Sequence, residues 1–150
     1  MSIIRARGLT KRFGDLGAVA GIDFDIQEGE CFGFLGPNGA GKTSTIRMIY
    51  GASPVTAGEV WVNGKDVRRC PREIKAAVGV VPQENNLDPD LSVIQNLLVY
   101  ARYFSIPGAI ARDRAREVLE LLQLWDRRDS HTESLSSGMK RRLVIARGLI

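Results

Sequence analysis

The chain has 150 residues, 44% of them hydrophobic and 25% charged, with a formal net charge of +4. That length suits one domain burying roughly two-thirds of its unfolded surface, and the composition is that of an ordinary globular protein rather than a disordered or fibrous one. No window approaches 18 consecutive apolar residues, and Met1-Ser2-Ile3-Ile4-Arg5 lacks the apolar core of a signal peptide, which excludes a bilayer-spanning helix and gives a cytoplasmic location as the expectation.

The first 30 residues alternate as strands do. Ile22, Phe24 and Ile26 face one way and Asp23, Asp25 and Gln27 the other. Glu28-Gly29-Glu30 is a turn, and the apolar run Cys31 to Leu35 reads as a buried parallel strand. After the Gly-rich stretch from Gly36 to Ser44, Ile46, Ile49 and Tyr50 recur at helical spacing. Gly58 to Val62 is a strand, and Asn63-Gly64 is a dipeptide favoured in two-residue hairpins. Pro71 to Ala77 suits a short helix with proline at its first position, and Val78 to Val81 suits a short buried strand ended by Pro82.

Beyond this point the period is helical. Ser92 with Gln95 predicts a capping box, followed by Ile94, Leu97, Leu98 and Ala101 on one face. Pro107-Gly108 breaks that helix. Ala111, Ala115, Val118, Leu119 and Leu122 mark a second, and Met139, Leu143, Ala146 and Ile150 a third. The order predicts an α/β fold: an antiparallel β part at the N-terminus, a phosphate-loop core and a helical insert.

The stretch Gly36-Pro37-Asn38-Gly39-Ala40-Gly41-Lys42-Thr43-Ser44 fits the pattern G-x-x-x-x-G-K-S/T between a strand and a helix. Glycines let main-chain amides approach an anion, and the following helix turns its positive end to the same place. Lys42 reaches the β- and γ-phosphates as a point charge, while the Thr43 hydroxyl suits a magnesium ion bridging phosphate oxygens. Nucleotide binding is the expectation.

Other candidates for chemistry are weaker. Residues 1–100 hold 11 basic and 11 acidic side chains and residues 101–150 hold 10 and 6. The surplus lies in Arg112/Arg114/Arg116, Arg127/Arg128 and Lys140/Arg141/Arg142. No aromatic residue is interleaved there as a stacking platform, so nucleic acid is not an expected partner. Cys31 and Cys70 lack metal-ligand spacing and read as free buried thiols. His131, the single histidine, reads as a surface residue.

A phosphate loop alone does not choose among kinases, GTPases and transport ATPases. Two later stretches do: Val81-Pro82-Gln83 at the end of a predicted strand, and Leu135-Ser136-Ser137-Gly138-Met139-Lys140-Arg141-Arg142 opening the last helix. With the loop, in this order and spacing, the chain resembles the ATP-binding cassette (ABC) ATPases over essentially its whole length. Gln83 matches that family's Q-loop glutamine and Leu135 to Met139 its signature, usually LSGGQ. Gln83-Glu84-Asn85-Asn86-Leu87-Asp88-Pro89, and the Met followed by basic residues, are similar to the drug and lipo-oligosaccharide exporter branch.

The resemblance implies a single ATP-binding domain: a β core over about 1–83, a helical insert over about 84–136 and a signature helix over 137–150. It implies that ATP and Mg2+ are bound, with Lys42 and Gln83 in catalytic roles and Thr43 and Gln83 at the metal. Phe13 is placed to stack on adenine, with a core residue as the alternative. The remaining nucleotide contacts fall on Gly36, Pro37, Asn38, Gly39, Ala40, Gly41, Lys42, Thr43 and Ser44, and across a dimer on Ser136, Ser137 and Gly138. Ser136 or Ser137 suits a helix N-cap at the same time. Ser137 and Met139 depart from the second glycine and the glutamine of LSGGQ, which adds a Cβ and removes a hydrogen-bonding side chain.

The implied function is the ATP-binding subunit of an export transporter. It would be peripheral on the inner face of the membrane, paired with an integral permease and with a second cassette around ATP. A non-catalytic regulatory cassette and a non-transport ABC ATPase acting on nucleic acid remain alternatives. Ile150 precedes the positions where the family carries its Walker B aspartate and catalytic glutamate. These 150 residues are therefore expected to bind ATP but hydrolyse it poorly, and to expose apolar surface where a core strand is missing.

Overall fold

A computed structural model describes residues 2–150, in two compact units that meet in sequence at Val78 and Gly79. In the first, β1 (Ser2–Phe13) and β2 (Leu16–Gln27) form a long antiparallel hairpin. β3 (Ala57–Val62) pairs with the other side of β1 and β4 (Lys65–Asp66) follows, in the order β2-β1-β3-β4. Asn63 and Gly64 both take positive φ (49° and 73°), the conformation a tight primed turn demands.

The side-chain alternation expected for β2 is present: Ile26 is buried, and Ile22 and Phe24 pack against the core. That core joins Ala6, Leu9, Val19, Val60 and Val62 of the sheet to two helices. α1 (Lys42–Ile49) contributes Met48 and Ile49, and α2 (Pro71–Ala77), with Pro71 in its first turn, contributes Ile74. The buried face of α1 is Thr45, Met48 and Ile49; Ile46, expected on that face, is 45% exposed.

The two predicted buried strands are not found. Cys31 to Leu35 has no ladder partner, and Leu35 is almost fully exposed. Phe32 and Phe34 keep the run on the sheet through Phe24, with ring centres 5.9 and 5.2 Å from it. Val78 to Val81 likewise lacks a partner among the described residues, and Val81 is partly exposed. An apolar run becomes a buried strand only when neighbouring strands satisfy its amides and carbonyls on both sides. Cys31 is for the same reason an exposed thiol rather than a buried one, and Cys70 is half-buried; neither is in a disulfide.

The second unit is helical. α3 (Val93–Tyr103), α4 (Gly108–Leu121) and α5 (Ser137–Leu149) surround Val93, Leu97, Ala115, Leu119, Leu124, Leu135, Leu143 and Ala146. The predicted capping box is present: the Ser92 hydroxyl accepts from the Gln95 amide, and the Gln95 side chain accepts from the Ser92 amide. α3 ends before Ser105, which takes positive φ, and Gly108 opens α4 after Pro107. Buried Asn96 donates to the carbonyls of Asp88, Leu91 and Ser92 and accepts from the Asp88 amide, pinning the loop before α3.

His131 is exposed, as expected. One surface expectation is corrected: Trp125 does interleave with the arginines, lying 5.4 Å from the Arg116 guanidinium and 4.7 Å from that of Arg128. Both guanidiniums lie over the ring within cation–π range. Among the described residues no helix is long and apolar enough to cross a membrane.

Candidate functional site

The phosphate-loop sequence forms a turn-rich loop entering α1. Ala40 donates its amide to the Pro37 carbonyl at 3.2 Å, and Gly39 and Gly41 take positive φ (85° and 83°). Gly41 is fixed on two grounds. Its φ is costly for any side chain, and a Cβ there would stand 2.2 Å from the Ala18 carbonyl oxygen on β2.

α1 begins without a side-chain cap, because its N-cap is Gly41. Its first intrahelical bond runs from the Thr45 amide to the Gly41 carbonyl at 2.8 Å. The amides of Lys42, Thr43 and Ser44 therefore lack intrahelical partners, where the helix dipole adds positive potential. Lys42 curls over the loop and donates to the carbonyls of Gly36 and Pro37, both at 2.7 Å. An ammonium held by two neutral carbonyls is available to a phosphate, a stronger acceptor. Beside the loop lies an open groove of about 480 Å³ whose walls include Val19, Phe34, Leu35, Gly39, Ala40 and Lys42.

Uncapped amides and a nearby lysine suit an anion of phosphate type. Thr43 is exposed at the loop's end and Ser44 is half-buried. Among the described residues no side-chain hydrogen bond engages the Thr43 hydroxyl, and an oxygen of this kind suits a hard cation such as magnesium.

Phe13 lies at the β1–β2 turn and is 54% exposed, so the core alternative is overturned. The Lys11 ammonium sits 4.7 Å from its ring centre and also donates to the Pro54 carbonyl. Lys11 thus steadies a ring that remains largely open to a flat partner. β2 links Phe13 to the loop: Leu16 pairs with Phe13, and Ala18 and Val19 touch Gly41.

The other expected residues belong to the second unit. Gln83 is exposed on a bend after Pro82. Ser136 is the N-cap of α5 and accepts from the Met139 amide at 3.2 Å, so the capping role holds. Ser137 and Gly138 are exposed in the first turn, and a Cβ on Gly138 would meet nothing closer than Ser136 Oγ at 4.0 Å. Met139 is half-buried against the unit's core, which gives an apolar residue a packing role at the position of the usual glutamine. Sequence reasoning missed Arg141 and Arg147, whose guanidiniums reach the carbonyls of Pro82 and Asn86 on either side of Gln83.

Comparison with known proteins agrees with this geometry. A family described as "ABC transporter" matches residues 19–150. "Nod factor export ATP-binding protein I" of Cupriavidus metallidurans is 43% identical over 149 residues, covering 99% of this chain and 49% of that protein. The protein of the same name from Ralstonia nicotianae is 44% identical, with 99% and 46% covered. The chain thus spans about half the length of these curated relatives. Among solved structures, cbiO1 from Clostridium perfringens, part of the complex cbiONQ, aligns with a TM-score of 0.88 at 27% identity, covering 99% of this chain and 61% of that one. The ADP conformation of MJ1267, an ATP-binding cassette of an ABC transporter, aligns at 0.85 and 26% identity, with 99% and 65% covered. The chain belongs to the ABC transporter family, and its α/β fold is that of the family's ATPase subunits.

Proposed function

We propose that the chain is the ATP-binding part of an ABC export system. The observation that carries this is the start of α1, where an uncapped helix, a glycine packed on β2 and Lys42 converge on one loop. The loop from Gly36 to Ser44 takes the phosphates, Lys42 binds the β- and γ-phosphates, and Phe13 stacks on the adenine. Thr43 and Gln83 hold Mg2+, which when bound neutralises phosphate charge and helps align the triphosphate. Gln83 also orients water through its amide.

Two cassettes close around ATP, with Ser136, Ser137 and Gly138 of each offering a hydroxyl and helix-start amides to the nucleotide of the other. The two units act as one ATP-binding domain, peripheral on the inner face of a membrane and paired with an integral permease. The export direction follows the names of the relatives. The whole protein hydrolyses ATP.

Replacing Lys42 by alanine tests the reading. Charged hydrogen bonds contribute about 1.5–3 kcal/mol each, so Mg·ATP affinity falls by on the order of a hundredfold in calorimetric titration. Unchanged affinity counts against it.

A further inference from the structure

The helix that begins at the signature turn also grips the segment carrying Gln83. At its far end α5 meets that segment backbone to backbone: a Cβ on Gly79 would stand 2.0 Å from the Gly148 carbonyl oxygen. A Cβ on Gly148 would in turn meet Val81 Cγ2 at 3.2 Å. Two arginines of α5 then reach past this contact. Arg141 donates to the carbonyl of Pro82, the residue before Gln83, and Arg147 donates to the carbonyl of Asn86, three residues after it.

Neither arginine forms an ion pair with a carboxylate among the described residues. Their charge goes instead to two main-chain acceptors, in bonds stronger than neutral ones. Arg147 is further held by Tyr100 of α3, whose ring centre is 4.4 Å from its guanidinium carbon. A planar guanidinium can stack on an aromatic face and still donate at its edge, which an ammonium cannot match. The carbonyls flanking Gln83 are thus both tied to one rigid rod, whose other end presents Ser136, Ser137 and Gly138.

We propose that Arg141 and Arg147 are positioning residues that lock the Gln83 loop to the signature helix, so that the two phosphate-contacting elements shift as one body. This rests on the roles proposed above for Gln83 and for the signature turn. A change in what Gln83 binds is then carried directly to the residues that meet the second nucleotide.

The test uses the full-length protein with Arg141→Ala, Arg147→Ala, the double variant and Arg147→Lys. In the double variant, amide hydrogen exchange over residues 83–86 rises by about tenfold or more while α4 keeps its protection. ATP turnover falls by about tenfold with KM for Mg·ATP within about twofold, because positioning and not ground-state binding is lost. Arg147→Lys keeps one donor but not the stack, and recovers part of the rate lost in Arg147→Ala. Exchange and kcat at parental values in the double variant would overturn the proposal, as would a loss in Arg147→Lys equal to that in Arg147→Ala. Should the double variant fail to fold, Arg141→Ala, at an exposed side chain, carries the same readouts. Failure of the parent protein to bind Mg·ATP would instead remove the reading of the site, and the exchange comparison would still judge the clamp.

Discussion

Two helix starts in this chain are built in opposite ways. α3 opens with its orphan amides answered, since Ser92 and Gln95 exchange side-chain and backbone hydrogen bonds. α1 opens with none answered by a side chain, because its N-cap is a glycine with left-handed backbone. A capping box stabilises a helix from within, whereas an uncapped start held rigid by Gly41 against β2 leaves positive potential facing outward. The first is a folding device, and the second is the start proposed above to bind nucleotide. α5 stands between them: Ser136 caps the Met139 amide while Ser137 and Gly138 remain exposed.

Substitutions can break this contrast. Gly41→Ala has the largest effect, because it combines positive φ with a contact of 2.2 Å to main-chain oxygen. The cost is roughly 2–4 kcal/mol, read as a lowered denaturation midpoint together with lost ATP binding. Lys42→Ala follows, with the loss of affinity given above and no loss of stability, since the ammonium holds only two loop carbonyls. Ser92→Ala costs about 1 kcal/mol and lowers Tm by about 3 °C, while Mg·ATP affinity stays at the parental value. An affinity change in that variant would dissolve the distinction between the two helix starts.

The smallest effect concerns the sheet. The Arg7 guanidinium beside Asp25 holds its carboxyl below the ordinary range, with Ser2 and Arg5 assisting. A lowered folded-state pKa contributes stability that is complete above the unfolded value and is lost as pH falls through the folded one. Asp25→Asn therefore lowers Tm slightly at neutral pH and not in strong acid, a difference that salt screens because the groups are exposed.

Local chemistry was legible in the sequence and non-local satisfaction was not. The Asn63-Gly64 turn, the Ser92–Gln95 box, Pro71 at a helix start and the phosphate loop each depend on residues a few positions apart. The β2 alternation was equally readable, since its period is set by the pleat. Cys31 to Leu35 and Val78 to Val81 were read as buried strands from their apolar content, yet whether such a run is buried depends on neighbours far away in sequence. In α1 the expected burial of Ile49 holds, while Thr45 and Met48 are buried in place of Ile46.

The candidate site was legible in its parts but not in its supports. Lys42 follows from the loop motif, and Phe13, Gln83 and Ser136 from the family resemblance. Arg141 looked like a member of a basic run, Arg147 was not singled out, and their acceptors lie 59 and 61 residues away. Trp125 likewise gave no sign in sequence of meeting Arg116. Long charged side chains conceal their partners in this way, because their reach exceeds any local pattern.

The central claim, that a triphosphate is held by the amides opening α1, is most directly tested by following backbone amide resonances of the chain as Mg·ATP is added. The account predicts that the largest shifts fall on Gly39 through Ser44, saturate with a single dissociation constant and need on the order of a hundredfold more nucleotide in Lys42→Ala. Resonances of that loop unmoved at saturating nucleotide, or the largest shifts falling elsewhere in the chain, would contradict it.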